Sequence, residues 1–168
     1  MLEALWRDLN WTQRDILLFG RKVKQPRLTC WYGDEGTDYG YSGIRLQPEA
    51  WHPDLLRLRK RLEAELEYPF NAVLVNAYRD GRDSMGWHAD DEPELGEAPL
   101  IASISLGETR RFLLRKRSSK HSTSVDLESG SLLIMPGSVQ SAFQHCLPKT
   151  RAAKTLRINL TYRRVIRR

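Results

Sequence analysis

The stretch Trp87-His88-Ala89-Asp90-Asp91-Glu92 holds the residues of this chain best placed to bind a metal ion. In extended backbone, side chains two positions apart point the same way, so His88 and Asp90 can converge on one ion while Asp91 turns aside. A distant histidine, His145, supplies a third ligand. Two imidazoles and a carboxylate cover one face of an octahedral ion and leave three positions open, the arrangement of non-haem Fe(II) oxygenases. Alone the triplet is a weak signal. With 4 histidines and 21 acidic residues in a chain of 168, a His-x-acid triplet arises by accident nearly as often as not. A second one is present, His52-Pro53-Asp54, and it has a simpler explanation. Proline suits the first turn of a helix and aspartate its positive end, and Leu55, Leu58, Leu62 and Leu66 follow at helical spacing. The rival triplet reads as the start of a helix over residues 53–67.

The elements that must position these ligands follow from periodicity. Residues 72–78 alternate as a buried strand, with Asn76 and Tyr78 on one face. Residues 100–106 and 111–114 predict two more strands around a turn at Gly107, and 131–135 another, stopped by Pro136-Gly137. His145 lies in the segment that follows. In residues 156–163, Leu156, Ile158, Leu160 and Tyr162 share one face, and Arg157, Asn159, Thr161 and Arg163 the other. On an edge strand such a polar face meets water. Turned into a barrel, its two guanidiniums need anions, which a dicarboxylate charged at each end would satisfy. Residues 116–124 form a polar loop in which His121 is solvated.

Towards the N-terminus, Leu2, Leu5, Trp6 and Leu9 predict a short amphipathic helix. Residues 12–24 predict a hairpin with an apolar tip at Phe19-Gly20 and a basic flank. It is either a strand on the core with a solvated turn, or an apolar wedge for a base stack. Residues 31–43, rich in aromatics and glycine, read as loop-like, able to stack on a flat ligand or to cap a core. Many short strands after one helix predict a mainly β fold with flanking helices (α+β), an antiparallel sandwich or jelly roll. The length fits one domain. The net charge of +6 suits a polyanionic partner. No apolar run is long enough to span a membrane, and no signal-peptide pattern is present. Two cysteines without metal-type spacing point to a reducing compartment.

Asn76-x-Tyr78, His88-x-Asp90, His145 and Arg157-x-Asn159-x-Thr161-x-Arg163, in that order, resemble the AlkB family of Fe(II)- and 2-oxoglutarate-dependent dioxygenases. The resemblance runs from about Phe19 to Arg163. Tyr32-Gly33-Asp34, Ser42-Gly43, His88-x-Asp90-Asp91-Glu92 and the Phe19-Gly20 tip look like the branch that repairs double-stranded DNA. The resemblance implies a double-stranded β-helix (jelly roll) in a single domain over residues 1–168, with residues 12–45 as a nucleotide-recognition hairpin or lid. It implies that His88, Asp90 and His145 hold Fe(II). Arg157 would bind the far carboxylate of 2-oxoglutarate beside Asn76 and Tyr78, and Arg163 would act near the metal-chelating end. Asn159 and Thr161 would line the same pocket. Asp91 or Glu92 would meet an alkylated base, and Trp31, Tyr32 and Tyr39 would sandwich it. Asp34 and Gly20 would belong to the substrate side, and Phe19 would fill the gap left by a flipped nucleotide.

The implied activity is oxidative demethylation of 1-methyladenine and 3-methylcytosine, consuming O2 and releasing formaldehyde, succinate and CO2. The implied partner is alkylated DNA, duplex ahead of single-stranded DNA or RNA. A monomer is expected, cytoplasmic in a bacterium or nuclear in a eukaryote, with no membrane association. The chain begins close to the hairpin, so no N-terminal extension is expected. Residues 115–124 either track the second strand of a duplex or keep the protein soluble. Rival readings of the same residues are an oxygenase of RNA or protein, a non-catalytic nucleic-acid-binding module, and a zinc hydrolase with three protein ligands and a water.

Overall fold

The computed structural model describes residues 1–18, 20–41 and 44–166. Two antiparallel sheets carry the fold. The larger has five strands, in the order β11 (Leu132–Met135), β8 (Ile101–Gly107), β13 (Arg157–Arg163), β6 (Ala72–Tyr78) and β3 (Leu28–Gly33). The smaller has four: β10 (Ser122–Leu127), β9 (Arg110–Lys116), β12 (Phe143–Leu147) and β7 (Met85–His88). Two ribbons stand beside them, β1 (Asp15–Leu18) with β2 (Arg21–Lys24), and β4 (Tyr39–Tyr41) with β5 (Ile44–Leu46). The helices are α1 (Leu2–Asp8), α2 (Pro53–Leu66) and α3 (Gly137–Ala142). Among the described residues no helix is long and apolar enough to cross a membrane.

The larger sheet is covered on both faces, which is why β6 and β13 are buried at every position. On one face Val73, Val75, Ala77, Ile158, Leu160 and Tyr162 pack with Leu5 and Leu9 from the α1 region and Leu55 and Leu62 of α2. The α2 boundary is chemical: Pro53 opens the helix and the His52 side chain accepts a hydrogen bond from the Asp54 N–H. Tyr162 ties sheet to helix by donating its hydroxyl to the Leu55 carbonyl at 2.9 Å. On the opposite face Leu74, Ile101 and Met135 meet Phe112 of β9, so the smaller sheet closes over this side. The turn from β8 to β9 passes through Gly107 at φ +87°, where a Cβ would strike the Leu156 carbonyl. The mainly β jelly roll with outer helices is as expected.

Two boundaries differ from the periodicity reading. Residues 28–33 are a strand of the larger sheet, paired with β6 from Leu28↔Ala77 to Gly33↔Ala72. The aromatic segment therefore begins as sheet rather than loop. Within the polar stretch 116–124, β10 already begins at Ser122 and pairs with β9 from Ser122↔Arg115 onward. Alternating serine and threonine on an exposed outer strand gives no apolar period to read.

Candidate metal and co-substrate site

The two sheets place the ligands. His88 on β7 and His145 on β12 are direct cross-strand partners, with ring centroids 4.2 Å apart. Asp90 follows β7, and its backbone N–H is held by the Gln140 side-chain oxygen of α3 at 2.9 Å. One ligand atom from each of His88, Asp90 and His145 lies within 4.8 Å of the others. The chemistry of this donor set fits a metal ion. His88 Nδ1 sits 2.8 Å from the Gly86 carbonyl, which can only accept, so the proton is on Nδ1 and Nε2 keeps its lone pair. Burial pushes both imidazoles below their ordinary pKa, His145 to about 4, so both are neutral ligands near pH 7. Burial alone would raise the Asp90 carboxyl, but Arg163 and the two histidines outweigh it and hold it below the usual range. Arg163 donates to Asp90 Oδ1 at 2.6 Å, while Asp90 Oδ2 faces His145 Nε2 at 3.7 Å.

The β13 ladder builds the pocket behind the ligands. Its polar face is buried: Arg157 1%, Asn159 8%, Thr161 6% and Arg163 3% exposed, which excludes the edge-strand reading. Register sets Arg157 opposite Tyr78, Asn159 opposite Asn76 and Thr161 opposite Leu74, all on the covered side. Asn159 donates to Ser103 Oγ at 2.7 Å and accepts from Thr161 at 2.9 Å, a pair that fixes both amide and hydroxyl. Arg157 donates to Ser105 Oγ at 2.8 Å, its guanidinium lies 5.3 Å from the Tyr78 ring centroid, and its Nε is buried with no hydrogen-bond partner. Arg163 reaches the His88–Asp90–His145 cluster through Asp90, and Arg157 stands at the other end of β13, opposite Tyr78.

Four residues of this pocket escaped the sequence reading. Ser103 and Ser105 alternate with Ala102 and Ile104, and the same period-2 argument applied to β8 would have found them. Arg27 is 3% exposed and donates Nε to Asn76 Oδ1 at 2.8 Å; nothing in Gln25-Pro26-Arg27 signals a buried cation. Gln140 lies in a short helix without an apolar period.

On the substrate side several expectations change. Tyr32 points away from the site, because it neighbours Trp31 on β3 and successive strand residues face opposite ways. It packs in the helix-side core, and its hydroxyl accepts the Asn10 N–H at 3.2 Å. Asp34 is also turned to the helices, accepting from Trp51 Nε1 at 2.8 Å and Arg59 at 2.6 Å. Trp31 and Tyr39 do face the site, but they stack on each other at 4.8 Å and 13°, too close to admit a base between them. They form a wall, with the Arg163 guanidinium over the Tyr39 ring. Of the two carboxylates after Asp90, Asp91 is exposed and paired with Arg117 at the rim. Glu92 lies inward beside the Tyr39 hydroxyl and Arg163; burial raises its pKa, with those two neighbours opposing. Gly20 occupies an exposed turn at φ +76°. Phe19 and Ser42-Gly43 lie outside the described residues. A cleft of about 520 Å³ leads to His88 between Ile16, Val23, Arg27, Met85 and Trp87.

Fold and site together set two histidines and one carboxylate within ligating reach of one another on a double-stranded β-helix. Residues 1–163 match the 2OG-Fe(II) oxygenase superfamily, and the chain belongs to that family. It is 42% identical over 175 residues to the alpha-ketoglutarate-dependent dioxygenase alkB homolog 3 of Bos taurus, covering 98% of this chain and 60% of that protein. It is 38% identical over 159 residues to the DNA oxidative demethylase ALKBH2 of Bos taurus, covering 90% and 57%. The chain thus spans about 60% of the length of the curated relatives first matched. The solved structure of OsALKBH1 superposes with a TM-score of 0.62 at 20% identity, over 84% of this chain and 79% of that one, and so shares the fold. The family's cofactors are Fe(II) and 2-oxoglutarate.

Proposed function

We propose that the protein is an oxidative demethylase of N-alkylated bases in DNA, with 1-methyladenine and 3-methylcytosine as substrates. What supports this reading is the coincidence on one buried face of the neutral His88, the ionised Asp90 and the neutral His145 with two ends of arginine charge, at Arg163 and Arg157. The names of the relatives, dioxygenase and DNA oxidative demethylase, point the same way. When bound, the Fe(II)–2-oxoglutarate pair supplies one oxygen atom from O2 to the alkyl carbon, with succinate and CO2 as by-products.

The protein's own residues then have distinct tasks. His88, Asp90 and His145 would hold the ion, a donor set that leaves room for co-substrate and oxygen. Arg163 fixes the Asp90 carboxylate so that one oxygen faces the ion. Arg157, with Tyr78 and Ser105, takes the far carboxylate of 2-oxoglutarate, and the Asn159–Thr161–Ser103 network lines its flank. The Trp31–Tyr39 wall keeps water from one side. A methyl group on a pairing nitrogen leaves the base positively charged, and the inward Glu92 favours that charge over a normal neutral base. Unpairing costs less at such a lesion.

The test is repair of an oligonucleotide carrying one 1-methyladenine, duplex and single-stranded, with Fe(II), 2-oxoglutarate and ascorbate. Wild type is expected to release formaldehyde in step with succinate, and His88→Ala neither. Succinate without base repair would sink the DNA reading and leave an oxygenase of another substrate. Faster repair of the duplex would assign duplex DNA; faster repair of the single strand would assign single strands.

A further inference from the structure

The Tyr78 ring, at the end of β6, has two guanidiniums close to it. Arg157 Cζ is 5.3 Å from the ring centroid and Arg110 Cζ is 5.8 Å from it. Arg157 comes from the larger sheet and Arg110 from the first position of β9 in the smaller one. Arg110 is 2% exposed. Three main-chain carbonyls hold it: one NH group donates to Asp80 at 2.9 Å, the other to Asp83 at 2.9 Å and Pro148 at 2.8 Å. Carbonyls satisfy its donors without cancelling its charge. The carboxylate of Asp83 nearby is committed to Arg79 through contacts of 2.7 and 2.9 Å. Two buried cations therefore share one aromatic ring, and neither forms an ion pair among the described residues. Burial depresses Arg157 to about 10; Arg110 adds to this, while Tyr78 opposes it through charge and a side-chain hydrogen bond. Buried like charges held this close are costly unless an anion completes them.

We propose that Arg110 is a positioning residue for the far carboxylate of the dicarboxylate co-substrate. It pins the Tyr78 ring against Arg157 and adds a second positive charge to the end of the pocket remote from the metal ligands. The same guanidinium ties the β6–β7 turn, through Asp80 and Asp83, to the end of β12 at Pro148. The strands carrying Tyr78, His88 and His145 are thereby held at one point. The inference rests on the assignment of Arg157 and Tyr78 to 2-oxoglutarate made above.

The test uses binding without turnover. The protein is loaded with Mn(II), and calorimetry compares 2-oxoglutarate with 2-oxopentanoate, which has the same length but lacks the far carboxylate. In Arg110→Met, affinity for 2-oxoglutarate is expected to fall roughly 3- to 30-fold, the range of one lost cation–π contact. Affinity for 2-oxopentanoate is expected to stay unchanged, and Arg110→Lys to restore part of the loss. Unchanged 2-oxoglutarate binding, or an equal loss for both acids, overturns the proposal, the latter because it marks a purely structural residue. Mn(II) affinity measured beforehand shows whether the variant site is intact. Should Arg110→Met fail to fold, Arg110→Lys alone decides by the same selective or parallel loss. Wild type that binds Mn(II) but neither acid would refute the co-substrate assignment itself.

Discussion

Asp91 and Glu92 are sequence neighbours of like charge, yet the site treats them differently. Asp91 is solvated and shares a rim ion pair with Arg117, whereas Glu92 is drawn inward beside Tyr39 and Arg163. An exposed ion pair contributes little, while a hydrogen bond to a buried charge contributes more. Glu92→Gln should therefore lower kcat/KM on 1-methyladenine roughly 10- to 100-fold. Asp91→Asn should change it less than about fivefold. Steady-state kinetics on one oligonucleotide decides; equal effects would refute the distinction. The His88-x-Asp90 pair and both β13 arginines were legible in the sequence because spacing and alternation are local; His145 was reached through the family resemblance. The choice between Asp91 and Glu92 was not, since both follow Asp90 in a turn whose direction depends on what packs behind it.

At the scale of the element, β3 shows what alternation decides. Trp31 and Tyr32 are adjacent aromatics, but one faces the pocket and the other the helices. Tyr32→Phe should cost about 1 kcal/mol by chemical denaturation, the value of the lost hydrogen bond to Asn10, while leaving KM for 2-oxoglutarate and DNA unchanged. A raised KM at full stability would return Tyr32 to the substrate side. The turn after β6 gives a second case. Asp83 is buried and accepts from the Arg79 backbone and side chain. Burial would raise its pKa, but Arg79 outweighs burial and holds it below the usual range. A carboxyl depressed in the folded state stabilises above its unfolded pKa, about 3.9, and that contribution is lost as pH falls through the folded value. Asp83→Asn should thus lose about 2 kcal/mol near pH 7, and the gap to wild type should close below roughly pH 4. A gap constant with pH would show that packing, not ionisation, sets it.

For the whole molecule, the net charge of +6 matters at long range. All four residues of β2, Arg21-Lys22-Val23-Lys24, are exposed, and Val23 and Lys24 line the cleft that leads to His88. Affinity for an oligonucleotide should fall log-linearly with salt, and Lys22→Ala should weaken it equally across sequences while reducing the slope by about 1. Fluorescence anisotropy over a salt series measures both. An unchanged slope would remove this hairpin from the phosphate contacts.

The sequence by itself determined what is written in short periods: the β6 and β13 faces, the helix start at His52-Pro53-Asp54, the mainly β class, and the residue types of the metal triad. The tertiary structure decided whatever depends on which face is covered. Arg157 and Arg163 became pocket residues because a second sheet closes over them; the same alternation on an edge strand would have left them in water. Arg27 and Arg110 gave no local sign, since a buried cation is recognised only by the carbonyls, rings and amides that distant segments bring to it. Tyr32 faces the helices because of the pleat of β3, and Asp34 just after that strand is held there by Trp51 and Arg59; pairing with β6, whose partners lie 39 to 49 residues away in the chain, is what made that segment a strand.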